Sequence, residues 1–247
     1  PSEVIGTTVI SEGLVYAIIG QDPEHGDGVG QITCIGPDGK AKWTSRDTGR
    51  SISTVSVAGG LVYAAEYDGD IHCFDAKTGK LLWAYDPKVP RETLVAACCD
   101  AVNRGVAYVD GRVFVGTYDG RLVALNAEDG KVLWDVQTTD REQSYTISGA
   151  PRVVKDMVVI GNGGAELGVR GYLTAYDANS GDKIWRFYTV RNPNKQPDNE
   201  VTDSAFVDIG NVTWGDEGHW VTDGGGGTVW DSIVYDEVND QIIFGVG

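Results

Sequence analysis

The chain has 247 residues and a net charge of −16, which argues against nucleic-acid binding because phosphates need a basic face. Its 34 glycines, seven tryptophans and 41% hydrophobic residues are typical of a globular chain with many tight turns. No apolar run reaches the roughly 18 residues of a membrane-spanning helix. Because the chain begins at Pro1 without a leader, we expect a processed chain or a fragment.

A unit of about 40 to 50 residues repeats along the chain. Each unit consists of short, β-branched runs separated by Asp-Gly or similar turns, which predicts strands buried on one face. Insertions at about 22–30 and 161–171 interrupt the first and fourth copies. The copies lie at residues 11–43, 59–83, 110–134, 153–185 and, truncated, 233–247.

In four of these copies a tryptophan lies four residues after a turn glycine. Units of four strands at this period are typical of β-propeller blades. We therefore predict an all-β fold, a β-propeller with about four to five four-stranded blades, and we expect the indoles to pack between blades. The pairs are Gly39 and Trp43, Gly79 and Trp83, Gly130 and Trp134, and Gly181 and Trp185.

Two of the four cysteines occupy equivalent strand positions in the repeats. Cys34 and Cys73 stand where later copies have Ala124 and Ala175. Four cysteines are too few for a disulfide framework in a chain of this size. We interpret Cys34 and Cys73 as small buried residues, because a thiol packs like a small hydrophobic group.

The other two cysteines, Cys98 and Cys99, are adjacent. A disulfide between neighbours would close almost no loop, so it could not stabilise the fold by restricting the unfolded chain. Ordinary disulfides join well-separated chain segments. The pair therefore either shapes a local surface or carries out redox chemistry.

Two segments depart from the repeat. Residues 191–200 are rich in Asn, Pro and charge, which predicts an excursion at the surface. Residues 211–227 end in four consecutive glycines, Gly224 to Gly227. Those glycines indicate either a flexible loop or a backbone that approaches a ligand closely.

Several ordered stretches in the later part of the chain, at residues 85–91, 98–105, 163–171, 185–190 and 225–232, carry a family likeness. They resemble the quinoprotein alcohol dehydrogenases, which use pyrroloquinoline quinone (PQQ). The resemblance implies an eight-bladed ring, of which residues 1–247 would be one partial propeller domain. Residues 85–247 are dehydrogenase-like, whereas residues 1–84 are closer to general PQQ-like repeat proteins.

The same resemblance implies a cofactor site. PQQ would lie between a Cys98–Cys99 disulfide and the indole of Trp230. Arg104 would pair with a PQQ carboxylate, which suits its planar guanidinium. Ser148 takes the place of a hydroxyl residue that contacts the cofactor.

Four further residues complete the implied site. Gly164, Ala165 and Thr228 would border the quinone with backbone and small side chains. Glu166 would ligate a metal ion, Ca²⁺ or a lanthanide, since Ca²⁺ prefers carboxylate oxygens. A Lewis acid beside the quinone carbonyl would favour electron transfer from the substrate.

The activity that the resemblance implies is oxidation of a primary alcohol to an aldehyde, with electrons passed to a cytochrome c. We expect a periplasmic location, which agrees with an oxidised cysteine pair. The sequence leaves open which alcohol is used, which metal is bound and what the oligomeric state is. Further blades would be needed to close the ring.

Ile52 and the missing blades favour an alternative, a non-catalytic PQQ-like propeller scaffold. Ile52 stands where the dehydrogenases have a cofactor-contacting glutamate. We also expect the last metal ligand, an asparagine, and the aspartate that acts as general base to lie beyond Gly247. No catalytic residue is therefore assigned within the chain, and an electron-transfer or assembly role has no feature in its favour.

Overall fold

The computed structural model describes residue 4 and residues 6–20, 29–96, 102–206 and 222–247. Within these residues the chain forms antiparallel strands of three to six residues, rich in Val, Ile and aromatic side chains. In chain order they are β1 (Val9–Ser11), β2 (Leu14–Ile19), β3 (Gln31–Ile35), β4 (Ala41–Ser45), β5 (Ser56–Ala58), β6 (Leu61–Ala65), β7 (Ile71–Asp75), β8 (Leu81–Tyr85), β9 (Ala107–Val109), β10 (Arg112–Gly116), β11 (Arg121–Asn126), β12 (Val132–Gln137), β13 (Arg152–Val154), β14 (Met157–Gly161), β15 (Tyr172–Asp177), β16 (Lys183–Tyr188), β17 (Ile233–Asp236) and β18 (Gln241–Phe244).

Helical structure is sparse in the described part of the chain. It comprises two 3₁₀ segments, Arg91–Ala96 and Ala165–Leu167, and one short α-helix, α1 (Thr202–Phe206). No helix among these residues is both long and apolar enough to span a lipid bilayer.

The strands form four four-stranded sheets in sequence order, β1–β4, β5–β8, β9–β12 and β13–β16, followed by the pair β17–β18. The predicted β-propeller blades are therefore confirmed, with the fifth blade represented by two strands. The first strands of neighbouring blades lie next to one another, β1 beside β5, β5 beside β9, β9 beside β13 and β13 beside β17. They surround a cavity of about 550 Å³.

The core is divided among the contacts between blades. Each of four clusters of buried side chains joins one blade to the next, for example Tyr16 and Ile32 with Val62 and Phe74. Tryptophans near the outer edges belong to these contacts, as predicted. Trp43 Nε1 donates a 2.9 Å hydrogen bond to the carbonyl of Ala76 in the next blade. Equivalent bonds run from Trp83 to Ala127 (2.9 Å) and from Trp134 to Ala178 (3.3 Å).

Each of these tryptophans pairs across the strand ladder with a small residue. Cys34 lies opposite Trp43 and Cys73 opposite Trp83, and the register shifts immediately after each cysteine. Both cysteines are fully buried and free. Their predicted role as small core residues is confirmed, and the later pairs Ala124–Trp134 and Ala175–Trp185 repeat the arrangement.

Candidate functional site

Two of the predicted site residues meet where the chain enters the innermost strands of the third and fourth blades. Arg104 precedes β9, and Ser148 precedes β13. The backbone N–H of Arg104 donates to the carbonyl of Ser148 at 3.1 Å. Nη1 of Arg104 also donates to Oγ of Ser148 at 2.7 Å. The side-chain contact is therefore supported by a backbone contact between the same two residues.

Trp230 joins this pair from the segment that leads into β17. The guanidinium carbon of Arg104 lies 4.8 Å from the centre of the Trp230 ring. A β-carbon on Gly149 would lie 2.9 Å from the Trp230 carbonyl oxygen, so the two backbones touch beside Ser148. Trp230 nevertheless remains 39% exposed. It presents a flat apolar surface next to a cation.

The charge of Arg104 is only partly shielded by its surroundings. Burial lowers the pKa of its guanidinium, while the carboxylate of Asp231 and the hydroxyl of Tyr118 act in the opposite direction. Among the described residues, no carboxylate oxygen lies within 4.0 Å of its nitrogen atoms. The planar guanidinium offers five N–H donors. Arg104 can therefore bind an anionic group in addition to Ser148.

A glycine-rich backbone forms the next part of the site. Gly224 to Gly227 all have positive φ, between 66° and 80°, a conformation that side chains disfavour. This run lies against the loop between β14 and β15, where the N–H of Gly171 donates to the carbonyl of Gly226 at 2.7 Å. The glycine run therefore packs against the protein's own backbone, and its approach to a ligand stays a prediction.

Thr228 and Ala165 border the same region. Thr228 is buried and forms a pair of backbone hydrogen bonds with Gly247, at 3.0 and 3.1 Å. A β-carbon on Gly226 would lie 3.7 Å from Cβ of Ala165 and 4.0 Å from the carbonyl oxygen of Gly247. Gly164 is buried, and a β-carbon there would lie 2.2 Å from the carbonyl oxygen of Ser144. Gly226 therefore lies close to Ala165 and to Gly247, the residue that Thr228 pairs with.

Glu166 lies in the 3₁₀ segment Ala165–Leu167 and is exposed. Within the described ranges its carboxylate makes no hydrogen bond or ion pair. Its place is determined by its backbone, where the N–H of Leu167 donates to the carbonyl of Gly164 at 2.9 Å. The described residues contain no group of three or more His, Cys, Asp and Glu side chains that could hold a metal ion.

The structure thus brings Arg104, Ser148 and Trp230 into contact and places Gly164, Ala165, Glu166 and Thr228 along the adjoining loops. Cys98 and Cys99 lie outside the described residues, so their pairing stays a prediction. The described residues end before the pair at Ala96 and resume after it at Val102.

Sequence reasoning missed one buried ion pair beside the glycine run and one buried contact between a carboxylate and an imidazole. Arg170 pairs with Asp198, with both N–O distances 2.8 Å. Nδ1 of His72 lies 2.6 Å from a carboxylate oxygen of Glu66. Arg170 stands within a recognised motif, but nothing in the sequence indicated Asp198 as its partner.

Burial raises the pKa of the Glu66 carboxyl, but its contacts more than offset this. The His72 imidazole, the N–H of Gly49 and the hydroxyl of Thr48 all stabilise the carboxylate, so its pKa lies below its ordinary value. The Thr48 hydroxyl donates at 2.8 Å. The contacts of Glu66 with Thr48 and Gly49 link the second blade to the loop that follows the first blade.

Comparison with known families gives one model that spans most of the chain. The protein-family model described as "Outer membrane protein assembly factor BamB" matches residues 3–109 and 28–212.

Among curated relatives, the dehydrogenase subunit of alcohol dehydrogenase (quinone) from Gluconobacter oxydans is 49% identical over 200 residues. This match covers 78% of the chain and 26% of that protein. The 1-butanol dehydrogenase (cytochrome c) of Thauera butanivorans is 46% identical over 181 residues, which are 70% of the chain and 26% of that protein. The chain thus spans about a quarter of the length of these relatives.

Solved structures of alcohol dehydrogenases also match most of the chain over only part of their own length. The quinohemoprotein alcohol dehydrogenase ADHIIG from Pseudomonas putida HK5 superimposes with a TM-score of 0.72 and 48% identity, over 79% of the chain and 28% of that protein. A europium-containing methanol dehydrogenase superimposes with a TM-score of 0.66 and 34% identity, over 78% of the chain and 34% of that protein.

Proposed function

The chain belongs to the PQQ-type propeller family, and within it to the quinoprotein alcohol dehydrogenases. From this premise we propose that it forms the PQQ-holding part of an alcohol-oxidising enzyme. The observation that carries the proposal is the convergence of Arg104, Ser148 and Trp230. These residues come from three separate places in the sequence, yet they combine a cation, a hydroxyl and an exposed flat ring.

The residues present suit PQQ, a planar tricyclic quinone that carries carboxylates. Arg104 has no carboxylate partner in the described ranges and has N–H groups free to receive one. The indole of Trp230 matches a flat ring system. A β-carbon on Gly164 would lie only 2.2 Å from the carbonyl oxygen of Ser144, so the site has no room for a side chain at this position. The donor set and the shape therefore agree with the cofactor.

In this proposal each side chain has a defined task. Arg104 binds a carboxylate of the cofactor, and Ser148 fixes the direction of its guanidinium. Trp230 supports one face of the ring, and a disulfide between Cys98 and Cys99 covers the other.

The remaining residues border the quinone and hold the metal. Gly164, Ala165 and Thr228 line its edge, and Glu166 supplies a carboxylate oxygen to Ca²⁺ or a lanthanide ion. When bound, the cofactor supplies an electron-accepting quinone that the metal ion polarises as a Lewis acid.

The substrate and electron acceptor are proposed from the names of the relatives. We propose that a primary alcohol loses two electrons and two protons to become an aldehyde. The electrons would pass one at a time to cytochrome c, and the protons would pass to water. One relative is named a 1-butanol dehydrogenase (cytochrome c). The europium-containing methanol dehydrogenase supports a lanthanide as the alternative to Ca²⁺. A periplasmic location would allow the cysteine pair to remain oxidised.

A second candidate is a PQQ-like propeller scaffold without catalytic activity. Ile52 favours it, because an aliphatic side chain cannot contact a polar cofactor as a glutamate would. The description of the matching family model, an assembly factor, also favours it. In this alternative Arg104 and Trp230 would contribute only to the contact between blades.

Titration of the full chain with PQQ in the presence of CaCl₂ distinguishes the two candidates. We expect saturable binding, seen as a change in the absorbance of PQQ and as a rise in melting temperature. Replacing Arg104 with Met should abolish most of the binding, whereas Arg46→Met, which removes the same charge from an exposed strand end, should not. A folded wild-type chain that shows no saturable binding would favour the scaffold.

A further inference from the structure

The loop that carries Glu166 is longer than its counterparts in the second and third blades. It spans ten residues, 162–171, between β14 and β15, and we call it the Glu166 loop. The equivalent connections between β6 and β7 and between β10 and β11 have five residues (66–70) and four residues (117–120). A longer loop needs additional contacts to hold one conformation.

Side-chain contacts hold the two ends of the Glu166 loop. Asn162 closes its base, because its side-chain oxygen accepts a 2.8 Å hydrogen bond from the N–H of Tyr172. At the other end, both terminal nitrogens of Arg170 bind the two carboxylate oxygens of Asp198 at 2.8 Å. Nε of Arg170 donates to the carbonyl of Val190 at 2.7 Å. The guanidinium lies 3.8 Å from the centre of the Tyr188 ring.

The partner carboxylate is itself held in place. Asn192 donates to Asp198 Oδ1 at 2.8 Å. The backbone N–H groups of Asp198 and Asn199 donate to the two carboxylate oxygens of Asp203, at 2.9 and 2.8 Å. The excursion at 191–200, predicted only as a surface feature, therefore presents Asp198 in a fixed position.

The Arg170–Asp198 pair is largely removed from water, with side chains only 12% and 10% exposed. A desolvated ion pair of this kind contributes little net stability, because the loss of hydration offsets the attraction between the charges. It does select one geometry, since a bidentate guanidinium–carboxylate pair has a narrow range of orientations. This pair is therefore best suited to fix the relative positions of the two loops that carry Arg170 and Asp198.

Arg170 also adjoins the glycine run of the candidate site. Its backbone forms a parallel bridge with Gly226, and the next residue, Gly171, donates to the carbonyl of Gly226. Thr189 Oγ1 donates to the carbonyl of Gly227 at 2.5 Å. The Glu166 carboxylate makes no hydrogen bond or ion pair in the described residues, so its location depends on this backbone framework.

We propose that Arg170 and Asp198 are positioning residues, which hold the Glu166 loop and the glycine run in the arrangement that the metal and PQQ require. This inference rests on the proposed function. It assigns to the excursion at 191–200 a role in the site, although Asp198 itself would touch neither the cofactor nor the metal.

The test uses the full chain with Asp198→Asn, which removes the negative charge but keeps the side-chain size. We expect faster hydrogen exchange at the amides of Leu167 and Gly171 in the cofactor-free chain. We also expect Ca²⁺-dependent PQQ binding to weaken by about 10- to 100-fold, the range typical of outer-shell substitutions at metal sites. Arg170→Lys, which retains the charge but loses the bidentate geometry, should cause the same two changes while the fold persists.

The matched control is Asp240→Asn, which breaks an exposed ion pair with Lys155 elsewhere on the same blades. It should alter neither loop exchange nor PQQ binding. Unchanged exchange and binding in both Asp198→Asn and Arg170→Lys would overturn the inference, as would faster exchange with unchanged binding. A wild-type chain that binds no PQQ would instead overturn the proposed function, and with it the role of the pair toward a cofactor.

Discussion

Arg104 donates a 2.7 Å hydrogen bond to the hydroxyl of Ser148, across the boundary between the third and fourth blades. This bond directs the guanidinium toward the indole of Trp230, 4.8 Å away. Because the two residues are 44 positions apart in sequence, their contact depends on the correct packing of two blades. The proposed cofactor site is therefore a product of the propeller and not of one local motif.

Replacing Ser148 with Ala should weaken PQQ binding by about tenfold, because a hydrogen bond to a charged group contributes roughly 1.5–3 kcal/mol and the backbone contact remains. Ser148→Thr keeps the hydroxyl and should bind almost normally. Isothermal titration with PQQ in CaCl₂ measures both affinities. Equal affinity for the wild type and Ser148→Ala would show that this hydroxyl does not orient Arg104.

Gly79→Ala should destabilise the fold because it disturbs a contact between blades. A β-carbon at Gly79 would lie 2.4 Å from the ring of Trp43, and φ is 70°. Gly39 has a similar φ of 73° but no atom within 4 Å of its β-carbon position, so Gly39→Ala controls for backbone strain. The free energy of unfolding should fall about 1–3 kcal/mol further for Gly79→Ala, the usual cost of overpacking. Equal losses, measured by urea denaturation, would contradict the role of the Trp43 contact.

The stability that Glu66 provides should depend on pH. Its pKa is lower in the folded chain than its ordinary value of 4.5, so the ionised form stabilises the fold above that value. The contribution is lost as the pH falls through the lower, folded-state pKa. Glu66→Gln should therefore lower the free energy of unfolding by about 1–3 kcal/mol near neutral pH.

The difference between wild type and Glu66→Gln should shrink in denaturation experiments below about pH 4, where the unfolded carboxyl is protonated. Glu128→Gln, at an exposed turn, serves as the control and should have little effect at either pH. A difference that stays constant over the acid range would mean that Glu66 acts through packing and not through its charge.

The four cysteines should fall into two classes of reactivity. Burial raises the pKa of the Cys73 thiol to about 12, and it also raises that of Cys34, so neither should react with iodoacetamide in the folded chain. Cys98 and Cys99 should react only after a reductant is added, if they form the predicted disulfide. Mass spectrometry of the labelled peptides locates the sites. Labelling of Cys98 and Cys99 without reductant would show that the pair is reduced.

The sequence was sufficient to predict the blades because their signals are local and repeated. The step from Gly79 to Trp83, for instance, recurs from Gly39 to Trp43, and each tryptophan lies across the ladder from a small residue. Alternating strands and tight turns follow directly from residue types within a few positions. A fold made of repeats therefore produces the same sequence pattern several times in one chain.

The candidate site was predictable only through resemblance to a family, and its supports were not predictable at all. Arg104 and Ser148 look unremarkable in isolation, and nothing in either neighbourhood indicates the other. Asp198 lies 28 residues from Arg170, in a segment whose Asn and Pro content predicts only an excursion. Such pairs depend on how two loops cross in space, which residue periodicity does not encode.

A crystal structure of the chain with PQQ and CaCl₂ would show whether Arg104 and Trp230 hold the cofactor. We expect electron density for a planar ring against the indole of Trp230, with a carboxylate bound to the guanidinium of Arg104. Electron density for the cofactor at another place, or an Arg104 that contacts only Ser148 while PQQ is bound, would contradict this expectation.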